Sequence, residues 1–497
     1  MKTPSLVIRG AHVVCMDQAR SEFAPGYVAI RDDVIVGVGA QRDCPAEAAR
    51  IIDATGKVAL PGFVNAHTHA IHILMRGGLS DDRPLYDWLF NVILPGLAVY
   101  RQSDIATAAQ LYCTEALLSG ITTFVDNVEF PADRFTMAAD TAIGVYRQMG
   151  LRVIYARMFY DYAPPEFAPT VDAAQALEPW VRHPSSEPEP TASALASIEE
   201  LIRRHHGSAD GRIQVWPSPG VAIFCSREGL LGARDLARRL GTRLTLHLAE
   251  SHHDRYQAGM TSIGYLASIG FLGPEVLAGH CVQADDSDVA ALSSAGVTVA
   301  SNPVSNMFLG SGIAPVAEMQ AAGIAVGLGT DDANCNNSVN MISDMKIAAL
   351  AQKVRHGQPS AMTADNVLAM ATIEGARALG MADQIGSLEV GKKADLVLLD
   401  FDRAHLYPRH SISSALVYQA NGSEVDTVLV DGQVLVAEGR LAGLEPADET
   451  QLTQRVQRAS ALVAQRARLQ GPLGGRLAAA GLARAVPSPG ERRDDTG

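Results

Sequence analysis

The sequence predicts an α/β fold, a (β/α)8 TIM-type barrel over residues 59–387. Beside it stands a small composite β-sandwich domain built from both termini, 1–58 and 388–450. Two observations predict this. Strand-like apolar runs alternate with helix-length segments through the middle of the chain about eight times, the count of a (β/α)8 barrel. Both ends are instead rich in short β-branched runs broken by Gly, Asp and Pro. A doubly wound open sheet is the alternative, but the G-x-G-x-x-G turn it favours after its first strand is absent.

Taken in order, SLVIRGAHVVCMD, YVAIRDDVIVGVG and KVALPGFVNAH read as strands. The middle then supplies ITTFVDN, LRVIYARMF, RIQVWPSPG, RLTLHLAE, VLAGHC, VTVASNP and IAVGLGTD, with the strand ending in HTH as one more. Helix-length segments such as SDIATAAQLYCTEALLSG and SREGLLGARDLARRLG separate them. Strand texture returns in ADLVLLDFD (394–402) and VDTVLVDGQVLVAEG (425–439), where Asp431-Gly432 between two apolar runs signals a hairpin. Residues 163–192 carry seven prolines and read as a long loop after a strand end, the place where a barrel builds covers over its substrate. Residues 451–497 read as a C-terminal helix and a weakly ordered tail from 470.

Composition narrows the function. Of 497 residues 47% are hydrophobic and 19% charged, enough for a sizeable core and too apolar for global disorder. Lys and Arg total 41 against 54 acids, a formal charge of -13, which argues against a nucleic-acid partner and suits a neutral or cationic small substrate. Six scattered cysteines form no C-x-x-C pair, as expected of a reduced, intracellular protein. Arg9 interrupts the only apolar stretch near the start, and no run of about eighteen apolar residues offers to span a bilayer. The expected location is cytoplasmic, with no membrane partner.

The chemistry gathers at strand ends. His67 and His69 in PGFVNAHTHA share one face of a strand, so both imidazoles can point at one ion. Taken alone, such a pair is equally a polar strand end. The balance changes because His247 closes RLTLHLAE, His280 closes VLAGHC and Asp331 closes AVGLGTD, and in a parallel barrel all these ends open on one face. Histidines and a carboxylate converging there would make a mononuclear metal site with an open position for water. Glu250, three residues beyond His247, is either a solvated helix-start carboxylate or, beside a metal, a general acid. Neither H-E-x-x-H nor the H-x-E with P-C-x-x-C of cytidine deaminases is present.

PGFVNAHTH, HLAES, GHC, SNPVSNMFLG and GTDDANCNNS together resemble the amidohydrolase superfamily, in particular its s-triazine aminohydrolase and chlorohydrolase branch. The resemblance spans roughly residues 1–450 and extends through LYDWLFNV, QLYCTEALLSGITT, VIYARMF and NSVNMISDMK. It implies a barrel with a composite β-sandwich, one divalent ion (Zn2+ or Fe2+) per subunit and a homo-oligomer. By motif it makes His67, His69, His247 and Asp331 the metal ligands and Glu250 the proton donor to a ring nitrogen. His280 would hold the metal-bound hydroxide or the leaving group's developing charge. Asp331 would accept the water proton.

Within that branch the chlorohydrolase type carries Phe, Asn and Ser at three pocket positions, and the melamine-deaminase type Leu, Asp and Cys. Leu85, Asp332 and Cys335 match the second, and Asp126 also follows the deaminase pattern. Asp332 beside Asp331 can exchange a proton with a leaving amine, where Asn cannot. Otherwise Asp332 caps the next helix and Cys335 packs as a small apolar residue. Tyr86 and Trp88 either stack on a flat heterocycle or belong to the core. Asn302, Ser305 and Asn306 read as loop-stabilising or substrate-orienting. The implied reaction is hydrolytic deamination of an aminated, melamine-like s-triazine, releasing ammonia. Its alternatives are dechlorination of an atrazine-like ring, deamination of a purine or pterin, and a barrel kept only as a binding scaffold, which would need neither the ligands nor Glu250.

Overall fold

Seventeen strands organise the chain in the computed structural model, which describes residues 4–77, 83–164, 188–256, 260–443 and 446–469. The first five are β1 (Leu6–Val14), β2 (Glu22–Arg31), β3 (Val34–Ala40), β4 (Arg50–Asp53) and β5 (Lys57–Pro61). Eight central strands follow: β6 (Phe63–Thr68), β7 (Ile121–Val128), β8 (Arg152–Phe159), β9 (Ile213–Pro219), β10 (Leu244–Leu248), β11 (Val276–His280), β12 (Thr298–Ser301) and β13 (Val326–Leu328). The last four are β14 (Leu396–Asp400), β15 (Val425–Val430), β16 (Gln433–Ala437) and β17 (Arg440–Leu441).

The central strands pair in parallel as β6-β7-β8-β9 and β10-β11-β12-β13. Parallel bridges from Val221 to His247 and from Thr68 to Asp331 join the two sheets at both seams. All eight strands therefore have neighbours on both sides and run the same way, so their C-terminal ends share one face. Their near-continuous burial is what a parallel sheet covered on both faces requires. Helices return the chain between them, for example Gln102–Leu118 after β6 and Arg227–Leu240 after β9. The second is bounded by Ser226, which accepts from the Gly229 N–H, and by Gly241 at φ +67°, a left-handed stop that glycine adopts without strain.

The terminal strands form one continuous nine-stranded sheet, in the order β17-β16-β15-β14-β5-β1-β2-β3, with β4 alongside β1. It curls. Val34 at the start of β3 bridges Lys393, and Ala394 N–H donates to Asp33 O, so the β3 edge returns to the entry of β14. The curl encloses an apolar core of Ile8, Val13, Ile30, Ile35, Leu396, Leu398 and Leu429. The β15–β16 turn has Asp431 at φ +47° and Gly432 at φ +73°, the two positive values of the hairpin turn that Asp-Gly favours.

Two of the terminal runs resolve into separate strands at their Asp and Gly breaks. YVAIRDDVIVGVG is broken into β2 and β3 by a turn at Asp32 (φ +56°). KVALPGFVNAH is two strands in different sheets, because Gly62 is where the chain passes from the terminal sheet to the central one. A Cβ there would lie 2.2 Å from Thr122 Cγ2, so only glycine allows the close crossing.

The helix Pro446–Arg466 docks on Gln102–Leu118, with Arg466 donating to Asp104 (2.7 Å) and to Val99 O (2.8 Å). Of the predicted loop 163–192, residues 165–187 lie outside the described residues, as does the predicted tail from 470. Among the described residues no helix is long and apolar enough to cross a membrane.

Candidate active site

The strand ends deliver the predicted groups to one buried cluster. His67 lies at the end of β6 and His69 just beyond it. His247 is near the end of β10, His280 ends β11, and Asp331 follows β13. Several of these ends are bent to aim their side chains: His280 sits at φ +69° and Asp331 at φ +59°, left-handed conformations that cost about 1–3 kcal/mol each and persist only where surrounding contacts impose them. Room for the His67 ring comes from two glycines. A Cβ on Gly279 would lie 3.3 Å from His67 Cε1, and one on Gly329 would lie 2.9 Å from His67 Cβ.

The donor atoms converge. His69 Nε2 is 3.1 Å from His247 Nε2, and Asp331 Oδ1 is 3.5 Å from His67 Nε2 and 3.6 Å from His69 Nε2. Ligand atoms about 3.3 Å apart are what metal–ligand bonds of about 2.0–2.1 Å around one tetrahedral centre require. His247 Nδ1–H donates to Gly220 O at 2.8 Å, which leaves its Nε2 lone pair facing inward, while His67 Nε2 is buried without a hydrogen-bond partner. Two nitrogens turned toward each other beside a carboxylate, with an orphaned third, fit a divalent cation. His67, His280 and Asp331 make a second overlapping set.

Charge states follow from burial. His247 is pushed down to about 3 by burial and by His67 beside it, and burial also drives His69 and His280 well below the usual imidazole range, so all three are neutral donors. Burial alone would raise Asp331, but the imidazoles of His67, His280 and His69 around it hold it well below the ordinary carboxylate range. Glu250 goes the other way, driven well up by burial and then by the Asp331 and Asp254 charges. One carboxyl is thus held down toward its ionised form and its neighbour pushed up toward its protonated form, the division of labour that acid–base chemistry needs.

Hydrogen bonds from behind orient these groups. Ser305 Oγ donates to Asp331 Oδ2 at 2.5 Å and the Asp332 N–H donates to Asp331 Oδ1 at 2.8 Å. Asn306 Nδ2 lies 2.9 Å from His280 Nδ1, with Asn302 Nδ2 at 3.2 Å, and Asn127 Nδ2 is 3.0 Å from His67 Nδ1. The asparagines and Ser305 therefore touch the candidate ligands, and Asn306 is not among the residues that line the cavity.

That cavity opens over the cluster, walled by Leu85, Tyr86, Trp88, Tyr160, Leu309 and Cys335, with Glu250, His72 and Glu129 among its polar groups. Leu85 and Cys335 thus face it together. Asp332 and Asp126 do not line it. Asp332 is wholly buried behind His72, with Oδ2 2.5 Å from His72 Nδ1, and Asp126 accepts from Ala70 N–H (2.8 Å) and Tyr146 Oη–H (2.6 Å). Tyr86 and Trp88 each present a ring to the cavity while their polar ends are tied down, Tyr86 Oη–H to Asp254 and Trp88 Nε1–H to Asn334 Oδ1 at 2.7 Å. Asp254 also accepts from the backbone N–H of Glu250 at 2.7 Å, so Tyr86 braces the loop that carries the acid.

Sequence reasoning missed three polar groups here: His72, Glu129 and Asp254. His72 was visible as a third histidine within HTHAIH, but its partner Asp332 is 260 residues away in sequence. Burial opposes a charge on His72, yet Asp332, Glu129 and Asp126 raise it on balance.

Parallel strands that gather four imidazoles and two carboxyls, Asp331 and Glu250, at a single face fit a hydrolase site of the metal-assisted kind. The chain belongs to the amidohydrolase family, whose model matches residues 58–435, and that family implies a TIM-barrel fold with α/β content. It is 39% identical over 464 residues to a 5-methylthioadenosine/S-adenosylhomocysteine deaminase of Desulforudis audaxviator, covering 92% of this chain and 99% of the relative. It is 34% identical over 472 residues to an S-triazine hydrolase of Gordonia rubripertincta, covering 94% and 98%. A zinc-bound adenosine deaminase of Xanthomonas campestris superposes with a TM-score of 0.82 at 27% identity, covering 93% and 99%. The protein is a hydrolytic deaminase of the amidohydrolase superfamily.

Proposed function

We propose that the chain removes an amino group hydrolytically from an aminated s-triazine of the melamine type. The observation that carries this reading is the wall of the cavity, where Leu85 and Cys335 face the same space as Glu250. Both match the deaminating pattern of the triazine branch, and Asp332, the third member, stands behind them on His72. The 34% identity to an S-triazine hydrolase across nearly the whole chain supports it. A second reading, deamination of a purine-type ring, is favoured by the 39% identical relative named as a 5-methylthioadenosine/S-adenosylhomocysteine deaminase.

His67, His69, His247 and Asp331 would hold one divalent cation, zinc or ferrous iron, since imidazole and carboxylate ligands suit both. When bound, such a cation supplies the Lewis acidity that makes water nucleophilic near neutral pH. The chain's own groups do the rest. Glu250 gives its proton to a ring nitrogen as water attacks the adjacent carbon, and Asp331 accepts the proton that the water loses. His280, whose Nε2 is 3.6 Å from Glu250 Oε2, orients the attacking oxygen. Proton return to the departing nitrogen releases ammonia and leaves a hydroxyl on the ring. An amine needs that proton, whereas chloride would leave without it.

Ammonia and chloride release, measured side by side on melamine, atrazine and adenosine with zinc-loaded protein, tests the proposal. Ammonia from melamine without chloride from atrazine is expected. Ammonia from adenosine and none from melamine would replace the triazine reading with the purine one.

A further inference from the structure

Two polar atoms in the cavity have no role in the hydrolytic step. His72 is only 1% exposed, and its Nε2 is buried with no hydrogen-bond partner although the residue lines the cavity. Its Nδ1 is fixed by Asp332 Oδ2 at 2.5 Å, so the ring cannot turn to satisfy Nε2 elsewhere. Glu129, 4% exposed, lines the same wall. Its Oε2 accepts from Tyr160 Oη–H at 2.8 Å, and its Oε1 stands 3.9 Å from His72 Nε2. That gap is too long for a hydrogen bond between them. Leaving the buried His72 Nε2 unmatched costs roughly as much as a lost hydrogen bond, and a ligand seated between it and Glu129 would satisfy it.

We propose that His72 Nε2 and Glu129 Oε1 form a specificity edge that reads an amino group the enzyme does not remove, together with the ring nitrogen beside it. This rests on the reading of the site as an aminoheterocycle deaminase and adds which substrates it prefers. Glu129 Oε1 accepts an N–H of the retained amino group, and His72, paired through Nδ1 with the Asp332 carboxylate, donates its Nε2–H to the neighbouring ring nitrogen. A flat ring presents those two atoms side by side wherever an amino group stands next to a ring nitrogen. Asp332 and Tyr160 are positioning residues, each fixing one member of the pair from behind. The ligand class is therefore a heterocycle with at least two amino groups, one hydrolysed over Glu250 and one held by this edge. A site built to hydrogen-bond a substrate group discriminates strongly against the analogue lacking it, because its own atoms are then stranded.

The test compares kcat/KM for paired substrates in zinc-loaded wild type, Glu129→Gln, His72→Gln, Asp332→Asn and Tyr160→Phe. The pairs are melamine against 2-amino-s-triazine, and 2,6-diaminopurine against adenine. Wild type is expected to favour the diamino member of the pair it accepts. Glu129→Gln and His72→Gln should cut that preference at least ten-fold, mainly through KM, and the two positioning variants should cut it less but in the same direction. Tyr160→Phe, which removes a single hydroxyl, keeps the test decisive should His72→Gln fail to fold. Equal losses on both members of a pair, unchanged preference, or wild type inactive on both pairs would overturn the edge. Activity confined to the purine pair would overturn the triazine reading alone and leave the edge to be decided on that pair.

Discussion

At the scale of single residues, Glu250 and Asp331 are displaced in opposite directions, Glu250 up and Asp331 down, and the difference is set by surroundings rather than residue type. Both are buried carboxyls. Asp331 is ringed by imidazoles and hydrogen-bonded by Ser305, while Glu250 faces other carboxylates. Replacing Glu250 by Gln keeps the shape but removes the transferable proton, so ammonia release should fall by about 10²- to 10⁴-fold, the usual worth of a general acid, with zinc content by elemental analysis unchanged. Ser305→Ala strips the 2.5 Å hydrogen bond from Asp331 and should weaken zinc binding about 10- to 100-fold in a chelator competition, the typical cost of losing a group that orients a ligand. His247, His280 and Asp331 were legible because each is the first ionisable group after an apolar strand, and His67 and His69 because their spacing puts both on one strand face. His72 and Glu129 were not, since what makes them notable is the cavity they share and, for His72, an unmatched Nε2 beside it.

At the scale of elements, strand ends and the small residues between them decide how closely the donors approach. Gly329 directly follows β13, and a Cβ there would stand 2.2 Å from Asn302 Oδ1 and 2.9 Å from His67 O. Gly329→Ala should therefore push on the His67 strand and the Asn302 loop together, costing about 1–3 kcal/mol by overpacking. Thermal unfolding should show the lost stability, and a rise in zinc Kd should show that the damage reaches the cluster. All eight central strands were legible as apolar runs ending in polar residues, and so was the Asp431-Gly432 hairpin. That KVALPGFVNAH changes sheets at Gly62 was not, because the Thr122 side chain that requires glycine there comes from another strand.

At the scale of the molecule, the terminal sheet is fastened to the central strands by charge as well as apolar contact. Arg152 at the start of β8 is almost fully buried and donates to Asp395 Oδ2 at 2.9 Å, just before β14, and to Asp431 Oδ1 at 2.5 Å in the β15–β16 turn. Breaking a buried ion pair strands the remaining charges at about 3–5 kcal/mol. Arg152→Met should lower the urea midpoint correspondingly, while the active-site groups at the opposite ends of the strands keep their contacts and zinc affinity changes little. A change in zinc affinity as large as that in stability would mean that the two ends of the strands are not independent.

The sequence by itself determined the alternation of strands and helices, the β character of both termini, the membership of the amidohydrolase family and the five strand-end groups that meet at the site. These are local properties: an apolar run, its period and the first polar residue after it can be read without knowing what lies across from them. Tertiary structure alone decided that Asp332 and Asp126 stand behind the cavity wall instead of on it, that His72 and Glu129 face the cavity, and that the terminal strands curl into one sheet. Each depends on residues hundreds of positions apart meeting in space, as His72 meets Asp332 and Arg152 meets Asp395. The pattern of a sequence records which face a residue is on, and the packing of the fold records what it meets there.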